Sequence, residues 1–223
     1  MAHLVAIEGI DGSGKGTQSR MLHERLNAEG IRAALIGFPQ YEQTLFGRAV
    51  GQFLNGRFGA LDEVDPFLVS LLYAGDRFES RDLLLEALAS NDIVVLDRYV
   101  PSNLAHQGAK CEAVERAALI EQIEQIEYEV YSLPRPDLVL LLDLPVDEAQ
   151  RLIATKAQRS YTDRAADLQE ADADYLRGVR EVYLELSRAT PNWHCLACAA
   201  DGRIRGVDEI AEEIYQTVHR RGI

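Results

Sequence analysis

Cysteine is scarce in this chain, and long apolar runs and positive charge are in short supply too. The three cysteines, Cys111, Cys195 and Cys198, are too few and odd in number for a disulfide framework. Cys195 and Cys198 form one C-x-x-C, but neither a second pair nor a histidine cluster completes a zinc site. They lie in WHCLACAADG, which reads as a strand running into a turn, and they are read as structural. No run of about 18 apolar residues occurs, so no membrane helix is expected. The first apolar run, 3–7, is too short for a signal peptide and has no basic leader, which points to the cytoplasm. Lys and Arg number 23 against 36 Asp and Glu, a net charge of −13. So acidic a surface repels nucleic acid and anionic membranes, and neither is expected as a partner. Any polyanionic ligand must therefore be met by a local gathering of Lys and Arg. Repeats and low-complexity linkers are absent as well, and 223 residues suit one α/β domain, 1–223.

Against these absences stand five short, mostly apolar runs, 4–7, 33–38, 93–96, 138–142 and 193–198, each bounded by turn signals. They read as strands buried on both faces. Helical patterns lie between them. In 112–133, Leu119, Ile123, Ile126, Val130 and Leu133 fall on one helical face, and Ile210, Ile214 and Val218 repeat at four. Strand and helix in alternation imply a parallel sheet covered by helices on both faces. One segment stands apart: KAQRSYTDR, 156–164, holds Lys156, Arg159 and Arg164 against the single acid Asp163. It reads either as a mobile loop that meets anions or as a solvated turn.

The stretch 7–18 is IEGIDGSGKGTQ. Gly9, Gly14 and Lys15 fit the phosphate-binding pattern G-x-x-x-x-G-K-[ST], in which backbone amides wrap phosphate oxygens at a helix N-terminus. The motif follows an expected strand and opens an expected helix. Gly9, Asp11, Gly12, Ser13, Gly14, Lys15, Gly16 and Thr17 are therefore the candidate ATP-binding residues. The hydroxyl is missing at Gly16, and Thr17 arrives one place late. One helical step turns a side chain by roughly 100°, so Thr17 does not replace it. GKGTQ resembles the nucleoside monophosphate kinases, where glycine often follows the lysine.

Three further stretches, GFPQY (37–41), YAGDR (73–77) and VVLDRYVPSN (94–103), narrow the resemblance. With the glycine loop they resemble the thymidylate kinases, within the P-loop nucleoside monophosphate kinases, in order and spacing along the whole chain. The resemblance implies a three-layer P-loop kinase fold, with a five-stranded parallel sheet, helices on both faces and a short lid at about 156–171. It implies transfer of the γ-phosphoryl group of ATP to dTMP, with Mg²⁺ as cofactor, and a homodimer. Arg98 offers a planar fork for the acceptor phosphate, or a structural ion pair. Asp97, at a strand end, orients metal-bound water or caps a helix. Arg77 lies four residues after Tyr73 and shares its helical face. By resemblance Tyr73 stacks on thymine and Arg77 and Asn103 contact the base; Phe38, with Pro39, closes a strand end, and Tyr41 is placed to reach the acceptor phosphate, both as candidate substrate-binding residues. Also by resemblance Asp11 and Glu170 serve the sugar or the metal. Asp11, Asp97 and Glu170 are thus expected behind water bound to Mg²⁺, which commonly keeps several waters.

The chain also departs from the resembling family. Gln40 replaces a frequent arginine, Gln169 a neighbouring aromatic, and His106 an aromatic ring that excludes a ribose 2′-hydroxyl. The glycine loop holds no arginine, so the cation at the transferring group is expected from the lid, with Arg159 and Arg164 as candidates and Lys156 and Arg151 nearby. Three rivals stay open: a deoxynucleoside kinase, a kinase for CMP, UMP or AMP, and a non-catalytic nucleotide-binding module. The absence of an N-K-x-D signature counts against a GTPase switch.

Overall fold

The computed structural model describes residues 2–154, 169–170 and 172–223. Its elements run β1 (His3–Glu8), α1 (Lys15–Ala28), β2 (Ala33–Gly37), α2 (Leu45–Leu54), α3 (Pro66–Glu79), α4 (Arg81–Ser90) and β3 (Ile93–Asp97). They continue with α5 (Val100–Gly108), α6 (Ala113–Glu124), a π-helical stretch (Gln125–Val130), β4 (Leu138–Asp143), α7 (Val146–Ala154) and α8 (Ala173–Ala189). The C-terminal part holds β5 (Trp193–Ala197), a small antiparallel pair β6 (Ala199–Ala200) and β7 (Arg203–Ile204), and α9 (Val207–Arg220). The expected lid, 156–171, lies outside the described residues except for Gln169 and Glu170, and so do Arg159 and Arg164. Among the described residues no helix is long and apolar enough to cross a membrane.

The five long strands pair in parallel in the order β2-β3-β1-β4-β5. Each expected apolar run is a strand to within a residue or two. Alternation along β1 divides the core. Leu4 and Ala6 pack with Leu84, Leu104, Leu119 and Ile123 of α4, α5 and α6. Val5 and Ile7 pack with Leu22, Leu26, Ile210 and Ile214 of α1 and α9. Each fully buried side chain of this size contributes about 1.5–3 kcal/mol, which is why both faces must be covered. A smaller cluster joins α2 to α3 through Val50, Phe53, Leu54 and Val69.

The expected single apolar face over 112–133 is corrected by the π-helical stretch. Leu119 and Ile123 are buried as expected, but Val130 is 67% exposed. Glu127 is fully buried in its place. Wider turns shift the phase of the side chains, so a spacing of three and four no longer tracks one face. The gain is a carboxylate delivered to the interior, beside the pocket described next.

Candidate active site

β1 ends at Glu8, and the chain then turns through 9–14 into α1. Gly12 has φ +86°, and a Cβ there would run into the carbonyl of Ala149. Only glycine allows the loop to lie this close to α7. Gly14 occupies the position before α1 with no side-chain cap, which leaves the helix N-terminus to an anion. The Ser13 hydroxyl in the same loop is buried with no partner. Lys15 Nζ folds back and donates to the carbonyls of Gly9 (2.9 Å) and Ile10 (2.8 Å). Burial, and after it the positive charge of Arg98, pull Lys15 down to about 7. Thr17 is exposed. Gly16 answers to Asp97: a Cβ there would stand 2.9 Å from the Asp97 carboxylate. The missing hydroxyl is therefore a vacated space that Asp97 reaches into from β3.

Arg98 follows β3 with φ +69°, a left-handed conformation that costs a non-glycine residue of order 1–3 kcal/mol. That backbone turns the guanidinium back over the glycine loop. It donates to Asp11 Oδ1 at 2.5 Å and to Ser102 Oγ at 3.2 Å, and lies 3.4 Å from His106 Nε2. The Tyr175 hydroxyl donates to the His106 carbonyl at 3.0 Å and stands 3.0 Å from His106 Nδ1. With that hydroxyl hydrogen committed, Nδ1 carries the ring proton and Nε2 remains an acceptor. Burial, then the Arg98 charge, push His106 down to about 3, so the ring is neutral at physiological pH.

The main pocket opens beyond Arg98. Asp11, Asp97, Arg98, Ser102 and His106 line one end, and Tyr73, Arg77, Asn103, Gln107 and Leu54 the other, with Phe38, Pro39, Tyr41 and Gln169 along it. At the far end Arg77 is buried and paired side-on with Glu127, at 2.5 and 2.6 Å. Glu127 Oε1 also accepts from Asn103 Nδ2 at 2.9 Å, and Ser70 O accepts from the same nitrogen at 3.0 Å. Asn103 is thereby pinned with Oδ1 buried and unpartnered. One turn along α5, both amide atoms of Gln107 are buried without partners. Such orphans are costly in a protein interior, about 1–3 kcal/mol each, and they mark where a ligand completes the bonding. On the opposite wall Asp76 accepts from Gln40 N at 3.0 Å and from Thr44 Oγ1 at 2.5 Å, which fixes the segment carrying Phe38, Pro39 and Tyr41.

The structure thus gathers Asp11, Lys15, Asp97 and Arg98 at one end and Tyr73, Arg77 and Asn103 at the other. Glu170 is buried but does not line this pocket, whereas its neighbour Gln169 does. Arg151 is a surface residue paired with Glu148 at 2.6 Å. The sequence reading missed Gln107, Glu127, Asp76 and Ser102. Gln107 was within reach, four residues after Asn103 on one helix; Glu127 carried no such signal. Among the described residues no group of three His, Cys, Asp or Glu side chains stands close enough to hold a metal ion. The three cysteines are free.

A family model described as thymidylate kinase matches residues 7–210. The chain is 31% identical over 198 residues to a thymidylate kinase of Mycobacterium tuberculosis, covering 89% of this chain and 92% of that one. It is 33% identical over 219 residues to a probable thymidylate kinase of Thermococcus onnurineus, covering 96% of each. A solved thymidylate kinase structure from Candida albicans superposes with a TM-score of 0.74 over 99% of this chain and 92% of that one, at 21% identity. The architecture is that of a P-loop kinase.

Proposed function

The chain belongs to the thymidylate kinase family, and from that premise we propose how the pocket moves the γ-phosphoryl group of ATP to dTMP, giving dTDP and ADP. The observation that carries the reading is the set of unpartnered amide atoms, Asn103 Oδ1 and both ends of Gln107, on the helix that follows Arg98. Asn103 Nδ2 is committed twice, so Oδ1 is a fixed acceptor. A thymine N3–H is a donor and fits it; a cytosine N3 is an acceptor and does not. The Gln107 amide complements the neighbouring imide edge. The Glu127 pair occupies Nε and one terminal nitrogen of Arg77, leaving the other terminal nitrogen for a base carbonyl. Tyr73 supplies a ring face for stacking. Arg98 then meets the acceptor phosphate, which a kinase for the bare nucleoside would not need.

ATP lies with its phosphates in the glycine loop against the α1 N-terminus and Lys15. The acceptor's phosphate oxygen is the nucleophile, so no strong base is required. Positioning and charge neutralisation do the chemistry. Asp11 and Asp97 line the phosphate end of the pocket, a donor set that suits a hydrated Mg²⁺ rather than an all-protein cage. Mg²⁺ bound to the donor phosphates there would neutralise their charge, with Asp11 and Asp97 placed to hold its waters; Glu170, expected to share that task, does not line the pocket. The lid, 156–171, supplies Arg159 or Arg164 to the transferring group, and 1–223 works as one domain. Free cysteines suit a reducing compartment, the cytoplasm. A second copy covers exposed apolar side chains of α2 and α3, Phe46, Leu68 and Phe78 (40%, 57% and 48% exposed). Sedimentation of the purified chain should give a dimer; monomer alone at micromolar concentration contradicts it.

A coupled ADP-release assay with Mg²⁺-ATP tests the activity. Turnover should be highest with dTMP and low with thymidine, CMP and AMP; equal turnover with thymidine would remove the role given to Arg98. Gly16→Ala, which improves helix propensity by up to about 1 kcal/mol, should leave Tm unchanged or raised. Its methyl displaces the Asp97 carboxylate, so kcat should fall about tenfold. Lys15 gives a pH signature. Near pH 8 the free chain holds it largely neutral, and bound phosphate restores its proton. Calorimetry in buffers of different ionisation enthalpy should find uptake of about half a proton or more per ATP near pH 8, and almost none near pH 6. ATP affinity should weaken as pH rises above 7.

A further inference from the structure

Glu8, the last residue of β1, has no role in the chemistry above, yet it is fully buried directly beneath Arg98. Its Oε1 accepts from the backbone N–H of Tyr99 at 2.7 Å. Its Oε2 accepts from Ser102 Oγ at 2.6 Å and from the Tyr183 hydroxyl at 2.8 Å. Ser102 and Tyr183 are themselves 2.9 Å apart. Tyr99 is the residue immediately after the left-handed turn at Arg98, and Arg98 N is tied to Ile7 O at 3.2 Å on the other side. The strained residue is thus held by the end of β1 at its own N–H and at that of the residue after it.

We infer that Glu8, with Ser102 and Tyr183, is a positioning unit that fixes the Arg98 fork for the acceptor phosphate. The direction of the hydrogen bonds carries the inference. Ser102 gives its hydrogen to Glu8, so its lone pairs face Arg98 Nη1, which donates to them. Only a carboxylate accepts on both sides at once. A glutamine must present an oxygen to the Tyr99 N–H and its NH₂ to the two hydroxyls. Ser102 then accepts from the amide and must turn its own hydrogen either toward Arg98, donor against donor, or toward the Tyr183 hydroxyl 2.9 Å away, which strips Tyr183 of the acceptor for its own hydrogen. Alternatively the amide flips and its NH₂ confronts the Tyr99 N–H. In each case the set of bonds by which Glu8 fixes Tyr99, Ser102 and Tyr183 around the guanidinium is broken. Tyr183 comes from α8, so the unit also ties the acceptor arginine to the helix that follows the 155–171 segment.

The inference rests on the reading that Arg98 holds the phosphate of dTMP, and the experiment separates the two. Glu8→Gln and Tyr183→Phe are compared with the unaltered chain for the affinity of dTMP and of thymidine, which shares base and sugar but lacks the phosphate. Glu8→Gln should weaken dTMP by about 10- to 100-fold and leave thymidine within about twofold. Tyr183→Phe keeps the ring and one Glu8 hydroxyl partner, and should shift dTMP alone, by about threefold to tenfold; it serves by itself if Glu8→Gln does not fold. Equal loss for both ligands in a folded variant, or no loss for either, would overturn the positioning role. An unaltered chain that binds thymidine as tightly as dTMP would overturn the reading of Arg98 instead.

Discussion

Arg98→Ala should lower kcat/KM for dTMP by about 10³-fold while changing the KM for ATP by little. The expectation follows from how the guanidinium is held. Asp11, Ser102 and His106 surround it, and its backbone is forced into a left-handed turn that only a fixed surrounding maintains. An arginine so preorganised needs no rearrangement when charge gathers on the transferring phosphoryl group. Groups of that kind are worth about 10²–10³ in rate when removed singly, and more at phosphoryl groups. His106 cannot take over, because its pKa near 3 leaves it uncharged. Lys15 cannot either, since its ammonium serves the loop on the donor side. Arg98→Lys keeps the charge but loses the fork, and should recover only about tenfold of the loss. Steady-state kinetics with each nucleotide varied in turn checks both variants. A larger effect on the ATP KM than on dTMP would place Arg98 on the wrong side of the reaction.

The second large effect is expected at a residue that touches no phosphate. Glu127→Ala should destabilise the fold by about 3–5 kcal/mol, because Arg77 is left charged and buried at 2% exposure without its partner. For a chain of this length that is a fall in Tm of about 10 °C. The same substitution releases one of the two bonds that pin Asn103 Nδ2. The amide can then rotate and present either end to a base, so selectivity for dTMP over CMP should fall about tenfold or more. Thermal unfolding and a two-substrate comparison read the two consequences separately. Loss of stability with selectivity intact would mean that Ser70 alone holds the amide.

The sheet was largely legible because its strands are buried on both faces and read as uninterrupted apolar runs. The glycine loop was legible for a similar reason, since backbone geometry there leaves little choice of residue. The wall of the pocket was less so. Val130 looked like a core position, and Glu127 like a solvated one, because a spacing of three and four presumes α-helical turns. The π-helical stretch that exchanges them sets Glu127 against the buried Arg77, a partner 50 residues away. Glu8 went unread inside a motif that was itself read, as a charge at a strand end gives no sign that three donors converge on it. Gly16 seemed a defect of the phosphate motif until Asp97 was seen to fill the space. These are contacts between distant elements, and no local pattern encodes them.

The central claim is that one pocket seats dTMP with its base on Asn103 and Gln107 and its phosphate on Arg98. A crystal structure of the dTMP complex tests it most directly. The account predicts the thymine N3–H on Asn103 Oδ1, the Gln107 amide bonded to the imide edge, and the phosphate forked by Arg98. A nucleotide bound the other way round, or one that left Asn103 Oδ1 and Gln107 still without partners, would contradict it.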